Sequence, residues 1–162
     1  MLSDYFALFE LPVSFEVDLA DLNRKYIALQ KRYHPDFHAG ASSEVLDEVM
    51  RRSSMLNEGL QVLRNPDSRM RYLLQLKGRL GDEEKYTLPP DFLMAMMELN
   101  EEEDAAARMV AIRRLQQEMD AAIAPILAAF RDGEDTAYPY DQVKDYYFRK
   151  KYLRRILDKT AG

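Results

Sequence analysis

Cysteine is absent from all 162 residues, which excludes disulfides, thiol nucleophiles and thiolate-held metal clusters. Histidine occurs only at His34 and His38, so any histidine metal site would have to be built on that pair. No apolar run approaches the ~20 residues of a membrane span, and Met1-Leu2-Ser3-Asp4 is not a secretory signal. No nucleophile–base set or glycine-rich phosphate loop is present, so nothing points to an enzyme. A net charge of −5 argues against general nucleic-acid binding. Six glycines and seven prolines leave long stretches rich in Ala, Leu, Met, Glu, Lys and Arg, which predicts an all-α fold. With 47% hydrophobic and 31% charged residues, the chain reads as a globular protein with one full core or two small ones. A reducing cytoplasm or an organelle matrix suits it.

The segment from Asp4 to Pro12 predicts a short helix closed by the proline. Leu19, Leu22, Tyr26, Leu29 and Tyr33 then recur at alternating spacings of three and four, one apolar seam along a helix. Arg24, Lys25, Lys31 and Arg32 fall on the opposite side at about 100° per residue. Leu46, Val49, Ser53, Leu56, Leu60 and Leu63 form a second such seam, and two seams joined by a short loop pack as a helical hairpin. The second pattern ends at Asn65-Pro66, a last short helix runs from Ser68 to Lys77, and Gly78 and Gly81 mark a boundary.

The tip of the hairpin carries Tyr33-His34-Pro35-Asp36-Phe37. Proline lacks an amide proton and disfavours helix at the residue before it, so the first long helix should stop near His34. Asp36 is then available to backbone amides or to a partner's arginine. Three duller readings stand beside that one. The basic residues form only a solvated face, His34, Asp36 and His38 hold a metal ion, or His34 and Asp36 merely cap the helices they separate.

These pieces together resemble the J domain of DnaJ-like co-chaperones: a short Tyr-Phe helix, a basic helix, His-Pro-Asp, then Asn57-Glu58-x-Leu60 and Leu63-x-x-Pro66-x-x-Arg69. The resemblance covers residues 1 to 78. It implies that His34, Pro35 and Asp36 contact a DnaK-type ATPase chaperone and trigger hydrolysis there. Arg24, Lys25, Lys31 and Arg32 would dock on an acidic patch of that partner. The sequence departs from the pattern at Phe37-His38, where many J domains continue with lysine. It departs again at Gly59, in place of the usual alanine, at a local cost of up to ~1 kcal/mol.

Residues 79 to 90 read as a linker, with Pro89-Pro90 before Asp91 as the expected N-cap. In the helix that follows, Phe92, Met96 and Leu99 make one apolar stripe, and Leu93, Met94 and Met97 make a second well away from it. A small domain has little with which to bury both, so the second stripe is expected to be an exposed adhesive patch suited to an irregular partner. Glu98 and Glu101 border it. Met109, Ile112, Leu115, Met119, Ile123, Ile126, Leu127 and Phe130 predict a long middle helix, kinked at Pro125 and ending at Asp132-Gly133. A last helix opens at Tyr138-Pro139, with Val143, Tyr147, Tyr152 and Ile156 as its anchors. Residues 91 to 162 therefore read as a three-helix bundle. Nine acidic residues and one lysine lie between Asp82 and Asp104, whereas seven basic and three acidic residues lie between Asp141 and Lys159. Packing those helices together should let the opposite charges meet.

Pro66-x-x-Arg69-x-x-Tyr72-Leu73-Leu74 followed by Phe92-Leu93-Met94-x-x-Met97-Glu98-Leu99 resembles the HscB-like iron-sulfur co-chaperones, over essentially the whole chain. The resemblance implies an L-shaped molecule without a cofactor of its own, whose bundle binds an IscU-like iron-sulfur scaffold protein and delivers it to an HscA-type chaperone. By position, the scaffold contacts would be Leu93, Met94, Met97, Glu98, Glu101 and, from the last helix, Phe148. A further acidic position of the family falls on Ala105. The cysteine-bearing N-terminal extension of eukaryotic members is missing, which favours a bacterial cytoplasm over a mitochondrial matrix. A general J protein serving unfolded chains is the alternative.

Overall fold

A computed structural model describes residues 2 to 161; its described residues are helical with no strand. None of its helices is long and apolar enough to cross a membrane. The chain divides into two compact units, one of Met1–Leu76 with Arg131–Gly133, the other of Lys77–Phe130 with Glu134–Gly162.

In the first unit α1 spans only Tyr5–Leu8, capped by Asp4, whose carboxylate accepts from the Ala7 amide at 3.0 Å. It stops well before Pro12. Glu10 takes a left-handed φ of 53°, and the amides of Glu10 and Leu11 return to the carbonyls of Ala7 and Phe6 at 3.0 and 2.8 Å, a Schellman closure that needs no proline. Helix α2, Leu19–Tyr33, is capped by Asp18 and ends at His34. Of its predicted seam only Leu22 is fully buried; Leu19 is exposed and Tyr26, Leu29 and Tyr33 are half-buried.

Helix α3, Ser43–Leu63, starts on a Ser42 cap and buries Val49, Ser53, Leu56, Gly59 and Leu63. Gly59 thus joins the seam where Leu46 and Leu60 are only half-buried. A Cβ on Gly59 would stand 2.9 Å from both Phe9 Cε2 and Tyr5 Cδ1. The glycine lets α1 lie directly on α3. Helix α4, Pro66–Leu76, begins two residues earlier than expected, because the Asn65 side chain accepts from the Asp67 amide at 2.8 Å. Arg69 on α4 is buried and donates to the carbonyls of Phe15 at 2.8 Å and Leu63 at 2.6 Å. It ties the segment before α2 to the end of α3, and burial pushes its pKa down.

In the second unit α5 spans Pro90–Glu101, α6 Ala105–Ala128 and α7 Tyr140–Ala161, and the three pack mutually. Pro89, not Asp91, occupies the N-cap position of α5 and supplies no side-chain bond. Helix α6 runs through Pro125 and ends four residues short of the predicted Asp132 stop. Its C-terminal flank is held by Tyr138, which donates to the Ile126 carbonyl at 2.7 Å. The buried stripe of α7 is Tyr140, Val143, Tyr146, Leu153 and Ile156, with the expected Tyr147 and Tyr152 half-buried on its flanks. Leu88, Phe92, Met96, Ile112, Leu153 and Ile156 form the core.

Residues 79 to 90 are non-helical before Pro90 but are no free tether. Leu80 and Leu88 are buried, Tyr86 donates to Asp145 at 2.7 Å, and Glu84 pairs with Lys144. The expected meeting of charges is limited to such contacts. Among the described residues the acids of α5 form no ion pair with α7, and Arg149 pairs within α7 with Asp145 at 2.5 Å.

Candidate functional site

Two separate constellations answer to the expected sites. The first is the loop after α2. Pro35 opens a single 3-10 turn, Pro35–His38, with His34 as its cap. The Asp36 amide donates to His34 Nδ1 at 3.2 Å, and the Phe37 amide donates to the His34 carbonyl at 3.0 Å. The Asp36 carboxylate lies 3.5 Å from the same ring nitrogen, yet its side chain is 86% exposed. Capping and display therefore coexist: His34 spends its ring on the turn, and Asp36 keeps most of its acceptor capacity for a partner. His38 turns the other way, its Nε2 lying 2.8 Å from the Arg32 carbonyl. Among the described residues no group of three or more His, Asp or Glu side chains is placed to hold a metal ion.

The four cations expected beside the loop differ in their freedom. Arg24 pairs with Asp21 at 3.0 Å, and Lys25 is held by both Asp21 at 3.3 Å and the Glu10 carbonyl at 2.8 Å. Those cations hold the Asp21 carboxyl below the usual carboxylate range. Arg32 lies over the Tyr33 ring, 5.3 Å from its centre. Lys31 instead lines a groove of about 400 Å³ between α2 and α3, together with Tyr26, Ile27, Gln30, His34, Phe37, Ser53 and Asn57.

The second constellation is the outer face of α5. Met94 and Met97 are 63% and 60% exposed, and Glu98 and Glu101 are exposed beside them. Leu93 departs from the expected stripe, being half-buried against the bundle core. Its helical angle sets it between the buried Phe92–Met96 side and the methionines. Phe148 of α7 is also half-buried against that core. It stacks face to face on Tyr86, ring centres 4.5 Å apart and planes within 3°. Tyr86 lies in the stretch whose composition predicts a linker; burial and its bond to Asp145 push its pKa up to about 12. The Tyr86-x-Leu88 alternation was the one local hint of that packing.

This all-helical chain displays His-Pro-Asp at the tip of a helical hairpin and two exposed methionines on a three-helix bundle. Residues 88–161 match the family model described as the HscB C-terminal oligomerisation domain. A curated co-chaperone protein HscB homolog from Chromobacterium violaceum is 39% identical over 133 residues, 74% of this chain and 76% of that one. Among solved structures, chaperone HscB from Vibrio cholerae aligns with a TM-score of 0.70 at 30% identity, covering 98% of this chain and 96% of that one. Human co-chaperone protein HscB aligns with a TM-score of 0.78 at 28% identity, covering 98% and 81%. The chain belongs to the HscB co-chaperone family, whose members are not enzymes.

Proposed function

We propose that this chain couples an iron-sulfur scaffold protein of the IscU type to an ATPase chaperone of the HscA or DnaK class, with His34, Pro35 and Asp36 stimulating ATP hydrolysis by the latter. The observation that carries the reading is the display of Asp36, whose amide is committed to the turn while its carboxylate faces solvent. A carboxylate so placed makes a directional, charge-assisted contact with a partner's cation, and the basic side chains of α2 accelerate and orient the encounter.

The scaffold contacts are Met94, Met97, Glu98 and Glu101, with Leu93 and Phe148 supporting the face from its edge. Two long methionines exposed together are adaptable to an irregular partner and are costly to leave in water. The cluster stays on the scaffold, because a chain without cysteine has no thiolate to take it. The two units serve as the two ends of this coupling, residues 1 to 78 as the J domain and residues 91 to 162 as the scaffold-binding bundle. The bacterial cytoplasm is the compartment where both partners would be met.

The test is ATP turnover by a purified HscA-type chaperone, with and without scaffold protein. The full chain should stimulate turnover, and scaffold should add to the effect. A Met94→Ser, Met97→Ser variant should keep the basal stimulation and lose the scaffold-dependent increment. Equal stimulation by denatured polypeptide and by scaffold would instead favour a general J protein.

A further inference from the structure

The stretch before α5 runs along α7. Glu84 pairs with Lys144, and Tyr86, two residues on, stacks on Phe148 with ring centres 4.5 Å apart and planes within 3°. Lys144 and Phe148 are four residues apart and so share one face of α7. The non-helical chain covers in two residues the ~6 Å that the helix takes four residues to climb. A third contact fixes the register. The Tyr86 hydroxyl donates to Asp145 Oδ1 at 2.7 Å, while Arg149 Nε donates to the other oxygen of that carboxylate at 2.5 Å. The Arg149 guanidinium lies 4.9 Å from the centre of the Phe92 ring, at the start of α5. Tyr86 is thus joined both to the ring of Phe148 and to the helix that bears Met94 and Met97.

The stack governs how Phe148 stands. The same ring meets Tyr147 edge-on, with centres 5.2 Å apart, and is half-buried against the bundle core. A side chain at the rim of a bundle with nothing beside it samples several rotamers, and a partner that uses it bears the cost of ordering it. The Tyr86 ring, tethered through its hydroxyl, removes that freedom before the partner arrives. A flat ring is needed for this, since an aliphatic side chain fills the space without offering a face to stack on.

We propose that Tyr86 is a positioning residue for scaffold binding, holding the Phe148 ring in the orientation in which it meets the scaffold protein. The proposal rests on the reading of Phe148 and the methionine face of α5 as the scaffold-contacting surface. It makes the stretch before α5 a working part of that surface, where its composition suggests a spacer. Without Tyr86 the Phe148 ring is present but free to move, so the influence of Tyr86 on binding passes through Phe148.

The experiment measures the dissociation constant of the full chain for a purified IscU-type scaffold protein by titration calorimetry. Tyr86→Ala should weaken binding about tenfold, the scale of ordering one or two mobile side chains on association. Tyr86→Phe keeps the stacking ring and loses only the bond to Asp145, so its affinity should stay within about threefold of wild type. Tyr86→Leu fills the same space without a flat face and should resemble alanine, which guards against a simple collapse of the stretch. In a Phe148→Ala background, adding Tyr86→Ala should cost less than about twofold, since no ring remains to be positioned. Helical dichroism on heating confirms that each variant folds. Wild-type affinity in both Tyr86→Ala and Tyr86→Leu, with Met94→Ser, Met97→Ser weakened in the same assay, would overturn the role of Tyr86 and leave the scaffold face standing. So would losses that multiply in the double variant, because Tyr86 would then act independently of Phe148. If Met94→Ser, Met97→Ser and Phe148→Ala all bind scaffold as the wild type does, the scaffold face falls and the positioning role with it.

Discussion

Replacing Gly59 by alanine separates the intrinsic preference of a helix from the demands of packing. In the interior of an exposed helix the change gains about 1 kcal/mol. Here the new Cβ would lie 2.9 Å from Phe9 Cε2 and 2.9 Å from Tyr5 Cδ1, where carbon atoms at ease sit ~3.5–4.0 Å apart. Neither ring retreats freely. Phe9 is fully buried, while Tyr5 is pinned at its backbone amide, which donates to the Tyr72 hydroxyl at 2.8 Å, and at its own hydroxyl, which donates to Glu58 at 3.3 Å. Overpacking of this kind costs ~1–3 kcal/mol, so the propensity gain is outweighed and a net loss of about 1 kcal/mol is expected. In urea denaturation followed by far-ultraviolet circular dichroism, the transition of the first unit should move down by about 0.5–1 M. A Gly59→Ala variant as stable as the wild type, or more so, would refute the argument that α1 reaches α3 only because residue 59 has no side chain.

Arg69→Met keeps the buried stem and strips the hydrogen bonds donated to the Phe15 and Leu63 carbonyls. It should cost about 2–4 kcal/mol in the same denaturation experiment, and a loss below about 1 kcal/mol would contradict the role given to Arg69. Burial pushes the hydroxyls of Tyr72, Tyr86 and Tyr138 up to about 12, against about 10 in an unfolded chain. Because the folded pKa values are the higher ones, the stability tied to these tyrosines is complete below about pH 10 and is lost as pH rises toward 12. Phenolate absorbance should therefore rise together with loss of helical dichroism; ionisation of these tyrosines near pH 10 in an intact fold would be the contrary result.

Much of this was legible from the residues because it is local. The three-four spacing of Leu19 to Tyr33 gives α2, and Pro35 gives its end, since both depend on chain geometry within a turn or two. The exposure of Met94 and Met97 followed from counting how much apolar surface a small bundle can cover. What was not legible depends on contacts distant in sequence. Nothing near Gly59 announces that Phe9 and Tyr5 will press on it, and its role reverses from a cost to a requirement. Leu153 faces inward on α7, with Tyr152 packed at its flank, because that part of the stripe is set by Phe92, Met96 and Ile112 on two other helices, and the buried Tyr146 meets α6 instead, donating to Asp120 at 2.6 Å. The stretch from residue 79 to 90 has the composition of a linker, yet Tyr86 and Leu88 pack against α7. Leu93 divides its surface between core and solvent, a position that helical angle alone assigns to neither. On α2 the cations were visible, but the engagement of Arg24 and Lys25 by Asp21 and the Glu10 carbonyl was not.

The most direct measurement is the turnover of an HscA-type chaperone in the presence of saturating scaffold protein, with Asp36→Asn compared to the wild-type chain. The substitution keeps the backbone amide that donates to the His34 cap and removes only the exposed charge, so folding and scaffold binding should be unchanged while stimulation falls to the level of the chaperone alone. Undiminished stimulation by Asp36→Asn would contradict the account at its centre.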